Sequence, residues 1–286
     1  MTSVESLPAW VRQRVGDRRV GRGIERVLGA LATQPRQMSF ASAAEAASLS
    51  GVNAATVVRA AQLLGFSGWP ALRSEMRSRY LSRLSASQVL SEHPTDGAGP
   101  AVSTLRRDAQ NLQDLSLLLD EEQVRRVAGL IAAARATLVL GSGSFAGPGL
   151  QLAHLAQTIG HDVRLQRVGG TALVNAVSLL SPGDCLVVLH LWRSPWEILT
   201  AMRIAAGAGV HVVVVSDQAR ADLQEVAHEL LPVPSEGASM FPSLVAATCV
   251  VQAVVASLVA LDPAAAAAAS DRTERRWAEM GLFPDP

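Results

Sequence analysis

The sequence predicts two domains: an all-helical N-terminal domain and a three-layer α/β/α domain on a five-stranded parallel sheet. Its 286 residues fit two domains of ordinary size. Hydrophobic residues make up 49% and charged residues 17%, which excludes a disordered chain and allows substantial cores. Apolar residues recur at helical spacing through residues 1–84, whereas short apolar runs alternate with helical patterns from Thr137 onward.

The charge of the chain is divided unevenly between its two parts. No lysine is present, so the 25 basic residues are all arginine, and they balance 25 acidic residues. Residues 1–84 contain 12 arginines and five acidic residues, a net charge of +7, and the remainder carries −7. This asymmetry predicts an anionic partner for the N-terminal domain alone.

The helices of the N-terminal domain follow from periodicity and stop signals. Apolar residues from Trp10 to Val20 and from Ile24 to Leu31 are spaced as on helices, and Pro35 is expected to end the second pattern. Short helices are predicted over 42–48 and 54–64, with Gly65 as the C-cap. A last helix over 70–84 begins with Pro70 and carries Arg73, Arg77, Arg79 and Arg83.

Residues 43–62 have the spacing of a helix-turn-helix. Ala47 is small where two helices would cross closely, Gly51 supplies the positive φ of a tight turn, and Val57 would fill the joint core. Asn53 is a suitable N-cap for the second helix. An ordinary helical hairpin would give the same spacing, but the positive charge favours DNA binding.

The exposed N-terminal residues of a recognition helix reach base edges in the major groove. A helical-wheel projection of the second helix predicts that its core side is formed by Ala54, Val57, Val58, Ala61 and Leu64. The predicted DNA-binding residues, which include two arginines of the following helix as candidate phosphate contacts, are Ser42, Asn53, Ala55, Thr56, Arg59, Arg73 and Arg77.

The domain boundary is predicted in a polar segment rich in Gly, Pro and Ser. The helix-turn-helix domain spans 1–84, the linker 85–103, and the α/β domain 104–286, although the start of the linker is compatible with helix. Two helices follow. The spacing of the leucines from Leu105 to Leu119 predicts the first, and the second runs from a capping box at Asp120 to Ala134. The predicted strands are 137–140, 162–165, 185–190, 210–216 and 229–233, and the predicted intervening helices are 146–159, 172–180, 195–208 and 221–228.

Residues 243–261 form an uncharged apolar run long enough to span a bilayer. Thr248, Gln252 and Ser257 interrupt the run, and a helix buried on an α/β sheet produces the same composition, so a core helix is the favoured interpretation. We therefore expect no membrane association. No secretory signal opens the chain, and a cytoplasmic location is expected.

Two cysteines, Cys185 and Cys249, lie in apolar stretches and are both expected to be buried. They form neither a disulfide framework nor a zinc-binding pattern, so no metal is expected. The glycine turn at Gly141 and Gly143 lacks the third glycine and the acidic residue of a dinucleotide fingerprint. No cofactor is predicted.

The helix-turn-helix resembles that of RpiR-type bacterial transcriptional regulators. The resemblance rests on residues 51–59, GVNAATVVR, and 64–72, LGFSGWPAL. Such regulators couple a helix-turn-helix domain to a C-terminal SIS (sugar isomerase) domain, and the order of parts matches over nearly the whole chain. The resemblance implies binding of double-stranded operator DNA, a homodimer or homotetramer, and control by a small anionic metabolite such as a phosphorylated sugar or another carbohydrate derivative.

The loop after the first predicted strand is a candidate anion site. In a glycine turn that precedes a helix, backbone N–H groups and hydroxyls point toward a bound anion. The resemblance implies that Gly141, Gly143 and Ser144 contribute to sugar-phosphate binding, with Ser142 between them. A simple tight turn is the alternative.

The third strand departs from the pattern usual in SIS domains, Ser-x-Ser-Gly-x-Thr-x-x-Glu. His190 and Trp192 stand in place of the two serines, Arg193 replaces the glycine and Pro195 the threonine, and only Glu197 is retained. In one interpretation Arg193 binds a phosphate or carboxylate with Trp192 or Trp196 packed on the ligand. In the other, large side chains fill a disused pocket and the domain only dimerises. Further candidates at the carboxyl edge of the sheet are Ser194, Ser216, Asp217, Ser239 and Ser243.

An aldose–ketose isomerase is the rival function. That chemistry needs a phosphate anchor and a base beside the carbonyl. The anchor is disrupted, and His154, His190 and Glu197 lack the spacing of a catalytic pair. We therefore expect a regulator and not an enzyme, with a constitutive DNA binder as a further alternative.

Overall fold

The computed structural model describes residues 6–92, 97 and 99–283. The chain divides into two compact units: unit 1 comprises Met1–Asp114 with Glu236–Pro242, and unit 2 comprises Leu115–Ser235 with Ser243–Pro286. The predicted fold class is correct: a helical N-terminal region precedes a five-stranded parallel sheet covered by helices. The division at 114/115 lies beyond the predicted linker.

Unit 1 is built from helices. They are α1 (Leu7–Val15), α2 (Arg22–Thr33), α3 (Pro35–Phe40), α4 (Ala43–Ser50), α5 (Ala54–Leu63), α6 (Trp69–Leu81), α7 (Ala86–Glu92) and the start of α8 (Pro100–Leu118). Pro35, which was expected to end a helix, is also the first residue of α3, where a missing N–H costs nothing.

Two tryptophans anchor the core of unit 1. Trp10 and Trp69 are each 1% exposed, and the Trp69 indole N–H donates a 2.9 Å hydrogen bond to the Ala41 carbonyl. A buried ion pair joins Glu75 to Arg79 one turn later on α6, at 2.6 Å, and the Arg79 guanidinium lies 4.4 Å from the centre of the Trp10 ring. Arg79, one of the four arginines that the sequence places on this helix, is therefore a core residue.

The predicted linker is partly helical, because α7 lies within it and α8 begins at Pro100. Val89 of α7 is buried, and Glu92 pairs with Arg36 of α3 at 2.7 Å. On α8 the Asn111 amide donates a 2.8 Å hydrogen bond to the Glu236 carbonyl. These contacts explain why the first part of α8 and residues 236–242 belong to unit 1.

Unit 2 contains a five-stranded sheet with all neighbours parallel, in the order β2-β1-β3-β4-β5. The strands are β1 (Thr137–Leu140), β2 (Val163–Gln166), β3 (Cys185–His190), β4 (His211–Ser216) and β5 (Glu229–Pro232). The helices are α9 (Glu121–Ala133), α10 (Ala146–Thr158), α11 (Thr171–Ser178), α12 (Trp196–Gly207), α13 (Ala221–Gln224), α14 (Val245–Leu261) and α15 (Pro263–Glu279).

Alternate residues of the central strands face two separate apolar cores. Val139, Val187 and Val213 pack with α9, α10 and α14 on one face. Leu140 and Val188 pack with α11 and α12 on the other face. Every residue of β1 and β3 is buried, as expected for parallel strands covered on both sides.

The apolar run near the C-terminus is a core helix, as favoured above. One face of α14, including Val250, Val254 and Leu258, is buried in the core with α9 and α10. Among the described residues no single helix is long and apolar enough to cross a membrane, and α14 and α15 qualify only as a pair bent by 107°. Cys185 is buried, and burial raises the pKa of its thiol to about 12. The expectation for Cys249 was wrong, since it lies on the exposed face of α14.

We predict that Asp184 stabilises unit 2 at the start of β3. Its side chain is 2% exposed and accepts hydrogen bonds from the N–H groups of Ser181, at 2.8 Å, and Ala136, at 3.1 Å. Burial alone raises the pKa of Asp184, but these bonds and Arg135 outweigh it and hold the pKa below its ordinary value. Asp184→Ala should lower the free energy of unfolding by about 1–3 kcal/mol at neutral pH, measured by urea unfolding.

The pH dependence has a definite sign. Because the folded pKa is depressed, the stabilisation is complete above the pKa of the unfolded carboxyl and is lost as the pH falls below about 4. The difference in the free energy of unfolding between wild type and Asp184→Ala should therefore become smaller at acidic pH. Asp162→Ala, at an exposed pair with Arg164, is the matched control and should cost less than about 1 kcal/mol. Equal losses in the two variants at neutral pH would contradict this role.

Candidate DNA-binding helices and candidate ligand site

The helix-turn-helix of unit 1 is formed by α4 and α5. Gly51 ends α4 at φ 62° and donates to the Ala47 carbonyl, while Ala47 and Val57 are buried between the helices. The frame predicted from Ala47, Gly51 and Val57 is therefore correct. The C-cap of α5 is Leu64 and not the predicted Gly65, which is the next residue and has φ 87°.

Ser42 is exposed and caps α4. Its hydroxyl accepts a 3.2 Å hydrogen bond from the Glu45 N–H, and the Glu45 carboxylate accepts one of 2.7 Å from the Ser42 N–H. This reciprocal pair is a capping box, which fixes the first turn of α4. The Ser42 hydroxyl thus has a structural role, and its place on the DNA face stays a prediction.

Three side chains in the N-terminal part of α5 are linked by hydrogen bonds. The Asn53 amide oxygen accepts from the Thr56 N–H and hydroxyl, both at 2.9 Å, and Arg59 donates to the Thr56 hydroxyl at 2.8 Å. Thr56 is 8% exposed, so its predicted place on the exposed face is wrong. The exposed residues of this helix end are Asn53, Ala54, Ala55, Arg59 and Gln62.

The two arginines predicted on α6 have other surroundings. Arg77 forms an ion pair with Glu236, donates to the Ser39 carbonyl at 3.0 Å, and lies 4.7 Å from the Phe40 ring centre. Arg73 is half-buried, and burial together with the nearby Arg77 lowers its pKa. Arg77 is occupied by these partners and Arg73 is only partly exposed, so we look to other arginines for the phosphate contacts.

The exposed arginines near α5 come from the segment around the start of α2. Arg19, Arg22 and Arg26 are exposed, and Arg26 donates a 2.9 Å hydrogen bond to the Gly51 carbonyl at the turn. A Cβ on Gly23 would lie 3.2 Å from the Thr56 methyl, so α2 packs closely on the start of α5. The residue spacing within 43–62 does not indicate these arginines, but the density of arginines in the sequence does indicate them.

The strand order of unit 2 defines where a ligand would lie. In the order 2-1-3-4-5 the chain leaves β1 and β3 in opposite directions, which opens a crevice at the carboxyl edge between them. The loop after β1 and the β3 turn, which we define as residues 191–194, flank this crevice. The candidate ligand residues predicted after these two strands therefore lie at one edge.

The loop after β1 requires its first glycine. A Cβ on Gly141 would lie 2.7 Å from the Ala146 Cα, and Gly143 has φ 57° at the start of a single 3-10 turn before α10. Within the described residues, the hydroxyls of Ser142 and Ser144 make no hydrogen bond with the protein. The geometry is that of a turn with donor groups before a helix N-terminus.

His190 ends β3 in a buried position. It is 5% exposed, and its Nδ1 has no hydrogen-bond partner among the described residues. Burial, reinforced by the charge of Arg220, lowers its pKa to about 4, so the imidazole is neutral at pH 7. Ser216 pairs with His190 across the sheet, but it is 1% exposed and its hydroxyl is bonded to the backbone of Gln218. Ser216 thus stabilises a turn, and its predicted ligand contact is withdrawn.

Trp192, in the β3 turn, has a left-handed backbone. Its φ of 54° is the single positive value at a non-glycine residue among those described, a conformation that costs about 1–3 kcal/mol. Its N–H donates to both Asp217 carboxylate oxygens, at 3.1 and 3.2 Å, and Asp217 also accepts a 2.6 Å hydrogen bond from the Ser235 hydroxyl. Asp217 was noted only for its position, and nothing in the sequence indicated this contact.

The remaining residues of the turn differ in exposure. Arg193 is exposed, with its guanidinium 5.1 Å from the centre of the Trp192 ring, and Ser194 is half-buried. The Glu197 carboxylate accepts a 2.9 Å hydrogen bond from the Gly170 N–H and fills the space that a Cβ on Gly169 would need. The glutamate retained from the family pattern therefore binds the backbone at the start of α11.

One predicted ligand residue lies in the other unit. Ser239 belongs to the segment 236–242 of unit 1, is exposed, and accepts a 3.4 Å hydrogen bond from the Phe241 N–H. A cavity of about 400 Å³ in unit 2 also lies apart from the predicted residues. It is lined by Gly160, Ala269, Arg272, Thr273, Arg275, Arg276 and Glu279.

Comparisons with known proteins agree with this architecture. Residues 25–83 match the model of the helix-turn-helix domain, rpiR family. The sugar isomerase domain of an RpiR transcription factor from Sphaerobacter thermophilus is 23% identical, with a TM-score of 0.58, covering 61% of this chain and 98% of that one. The Vibrio vulnificus NanR protein, in complex with ManNAc-6P, is 21% identical with a TM-score of 0.60, covering 96% and 99%. No curated protein matches the sequence.

The chain thus joins a helix-turn-helix unit to an α/β unit with the fold of the sugar isomerase domain of the Sphaerobacter thermophilus protein. Residues 25–83 form an RpiR-family helix-turn-helix domain, which confirms the resemblance inferred from the sequence for this domain.

We predict that His190 makes stability depend on pH. A histidine buried in its neutral form has a folded pKa of about 4, below its unfolded value of about 6.5. The unfolded state then binds more protons between these values, so stability is complete above the unfolded pKa and is lost as the pH falls toward 4. Between pH 7 and pH 5 the loss should be about 2 kcal/mol.

His190→Gln should flatten this dependence, measured as the urea unfolding free energy at several pH values. His154→Gln, at an exposed histidine of α10, is the control and should retain the wild-type slope. If His190→Gln kept the wild-type slope between pH 7 and pH 5, His190 would not be the buried neutral group described.

Proposed function

We propose that this protein is a DNA-binding transcriptional regulator whose affinity for operator DNA is modulated by a small anionic metabolite. The observation that carries the proposal is the RpiR-family helix-turn-helix, with its frame of Ala47, Gly51 and Val57, joined to a SIS-type unit. The net charge of +7 over residues 1–84 supports a polyanionic partner for unit 1.

In this proposal α5 is the recognition helix. Asn53, Ala55 and Arg59 are exposed at its N-terminal end, where base edges are read. Arg59 is already oriented by the Thr56 hydroxyl, and its guanidinium suits bidentate binding of guanine. Thr56 acts by holding Asn53 and Arg59. The exposed Arg19, Arg22 and Arg26 replace Arg73 and Arg77 as proposed phosphate contacts.

The effector is proposed to bind at the carboxyl edge of unit 2. The hydroxyls of Ser142 and Ser144, which have no partner among residues 6–92, 97 and 99–283, and the exposed Arg193 supply donors on either side of the crevice. Trp192 supplies an apolar face. A phosphorylated sugar or another acidic carbohydrate derivative has the acidic group and the hydroxyls that such a surface recognises. His190 and Ser194 are proposed to shape the crevice beneath the turn.

Enzymatic isomerisation is not proposed. A base must reach a proton next to the substrate carbonyl. His190 is buried and the Glu197 carboxylate holds the Gly170 N–H, so we assign both to shaping this edge of the sheet and not to proton transfer. A regulator needs only binding that differs between two states.

Assembly as a homodimer or homotetramer belongs to the same proposal. One recognition helix contacts too few base pairs for useful specificity, and paired helices on two half-sites double the number. Large apolar side chains on the helices of unit 2 offer surface for such assembly. They include Leu150, Val174, Leu179 and Ile204, each at least 58% exposed.

The first functional prediction concerns Arg59. The full-length protein should bind duplex DNA, and Arg59→Ala should reduce discrimination between operator and random sequence by about 1–3 kcal/mol, since one base-reading contact is lost. Fluorescence anisotropy with both DNAs at several salt concentrations measures this. Arg125→Ala, at an exposed arginine of unit 2 that pairs with Glu122, is the control and should leave discrimination unchanged. Absence of DNA binding by the wild type even at low salt would refute the regulator proposal.

The second functional prediction concerns Arg193. Arg193→Ala should weaken effector binding about 10- to 100-fold, because an exposed charge-assisted hydrogen bond is lost, while DNA binding without effector stays intact. Arg193→Lys should restore little, since an ammonium lacks the planar fork. Calorimetry with phosphorylated and carboxylated sugars measures the affinities. Arg203→Ala, at an exposed arginine of α12, is the control, and an equal loss there would show that Arg193 has no specific contact.

A further inference from the structure

Two backbone N–H groups at the carboxyl edge of unit 2 are already bonded to carboxylates of the protein itself. The Trp192 N–H in the β3 turn donates to Asp217 at 3.1 and 3.2 Å, and the Gly170 N–H before α11 donates to Glu197 at 2.9 Å. The two carboxylates come from different strand ends, after β4 and after β3. Each bonds a donor on a neighbouring loop.

Such donors are where an anion would otherwise bind. An N–H in a left-handed turn, at the carboxyl end of a parallel strand, points toward the crevice of an open α/β sheet and attracts negative charge. The Asp217 carboxylate has the charge and the planar pair of oxygens needed to take the place of one edge of a phosphate. The Ser235 hydroxyl, 2.6 Å from Asp217, supplies a second donor of the kind that a phosphate also uses.

The surroundings hold Asp217 in this position. Trp192 keeps a φ of 54° that is costly for a side chain of its size, and the Gln218 amide donates a 3.4 Å hydrogen bond to the Trp192 carbonyl. Hydrogen bonds therefore hold the turn at both the N–H and the carbonyl of Trp192. Asp217 itself is half-buried.

We propose that Asp217 is a specificity-determining residue: an internal carboxylate that occupies the anion position of the β3 turn and excludes phosphate from it. The proposal rests on the proposed function, since it specifies how the ligand site of the same unit selects its ligand. A ligand over this turn presents hydrogen-bond donors, hydroxyl or ammonium groups, to Asp217. Its acidic group lies elsewhere, toward Arg193 and the loop after β1.

A different cause of phosphate exclusion makes a different prediction. If the bulk of the Trp192 side chain blocked the turn, Trp192→Gly alone would open it, and glycine would also relieve the positive φ. If Asp217 blocks the turn, Trp192→Gly leaves the carboxylate bonded and phosphate stays excluded. Asp217→Asn removes the charge while keeping the size of the side chain, and Asp217→Ala removes both.

The test uses the full-length protein and inorganic phosphate as the probe, with sulfate as a second anion. Calorimetry measures affinity, and the amide resonance of Trp192, followed by nitrogen-15 NMR, reports whether the anion reaches the turn. Asp217→Asn and Asp217→Ala should bind phosphate at least about tenfold more tightly than wild type, with a shift of the Trp192 amide. Trp192→Gly should gain no phosphate affinity, and the control Asp271→Asn, at an exposed carboxylate of α15, should resemble the wild type.

Three results would overturn the proposal. They are a phosphate-induced shift of the Trp192 amide that persists in Arg193→Ala, a gain of phosphate affinity in Trp192→Gly alone, and no gain in folded Asp217 variants. The Arg193→Ala titration decides the matter even if the Asp217 variants fail to fold. Failure of the regulator proposal can be distinguished from failure of this one. It would appear as missing DNA binding while the phosphate titrations gave their expected outcome.

Discussion

The structure of unit 2 depends on one constraint: its central strands have no solvent-facing side. All residues of β1 and β3 are buried, and β4 is buried except at its first residue. Strands of this kind must be covered by helices on both faces, and right-handed parallel crossovers then place every strand's carboxyl end at the same edge. Buried helices such as α14 and the position of the ligand site both follow from this requirement.

At that edge, hydrogen bonding decides what the site can recognise. The loops that follow parallel strands present N–H groups that favour anions, and a protein of this fold either presents those groups to a ligand or satisfies them internally. This chain does both: the hydroxyls of Ser142 and Ser144 have no hydrogen-bond partner in the part of the chain that the structure describes, while Asp217 and Glu197 bond the donors of two other loops. The result is a surface with one side open to an acidic group and another side occupied by the protein's own charge.

The sequence predicts features that depend on neighbouring residues. The turn glycine Gly51, the N-cap Asn53 and the five strands are each determined by a few adjacent side chains, and the structure confirms them. The exposed face of α5 was predicted with errors at Ala54, which is exposed and not on the core side, and at Thr56, which is buried. Helix phase alone does not show that the Thr56 hydroxyl bonds Asn53 and that α2 packs on Thr56.

Contacts between distant segments were not predictable in this way. Arg77 pairs with Glu236, 159 residues away, and Asp217 bonds Trp192 from another strand end, 25 residues away. A charged residue in a sequence has the same appearance whether it faces solvent, DNA or an internal partner. Only the fold distinguishes Arg77 from the exposed Arg22, and this is why the phosphate contacts had to be reassigned while the helix-turn-helix itself did not.

The central claim is that unit 1 reads a DNA sequence as part of an oligomer. Selection from a library of genomic fragments by the full-length protein, followed by sequencing, tests this claim most directly. The account predicts enrichment of a small set of fragments that share an inverted repeat, with half-sites about one helical turn or a multiple of it apart. Recovery of fragments without any shared sequence, at a salt concentration that suppresses non-specific binding, would contradict it.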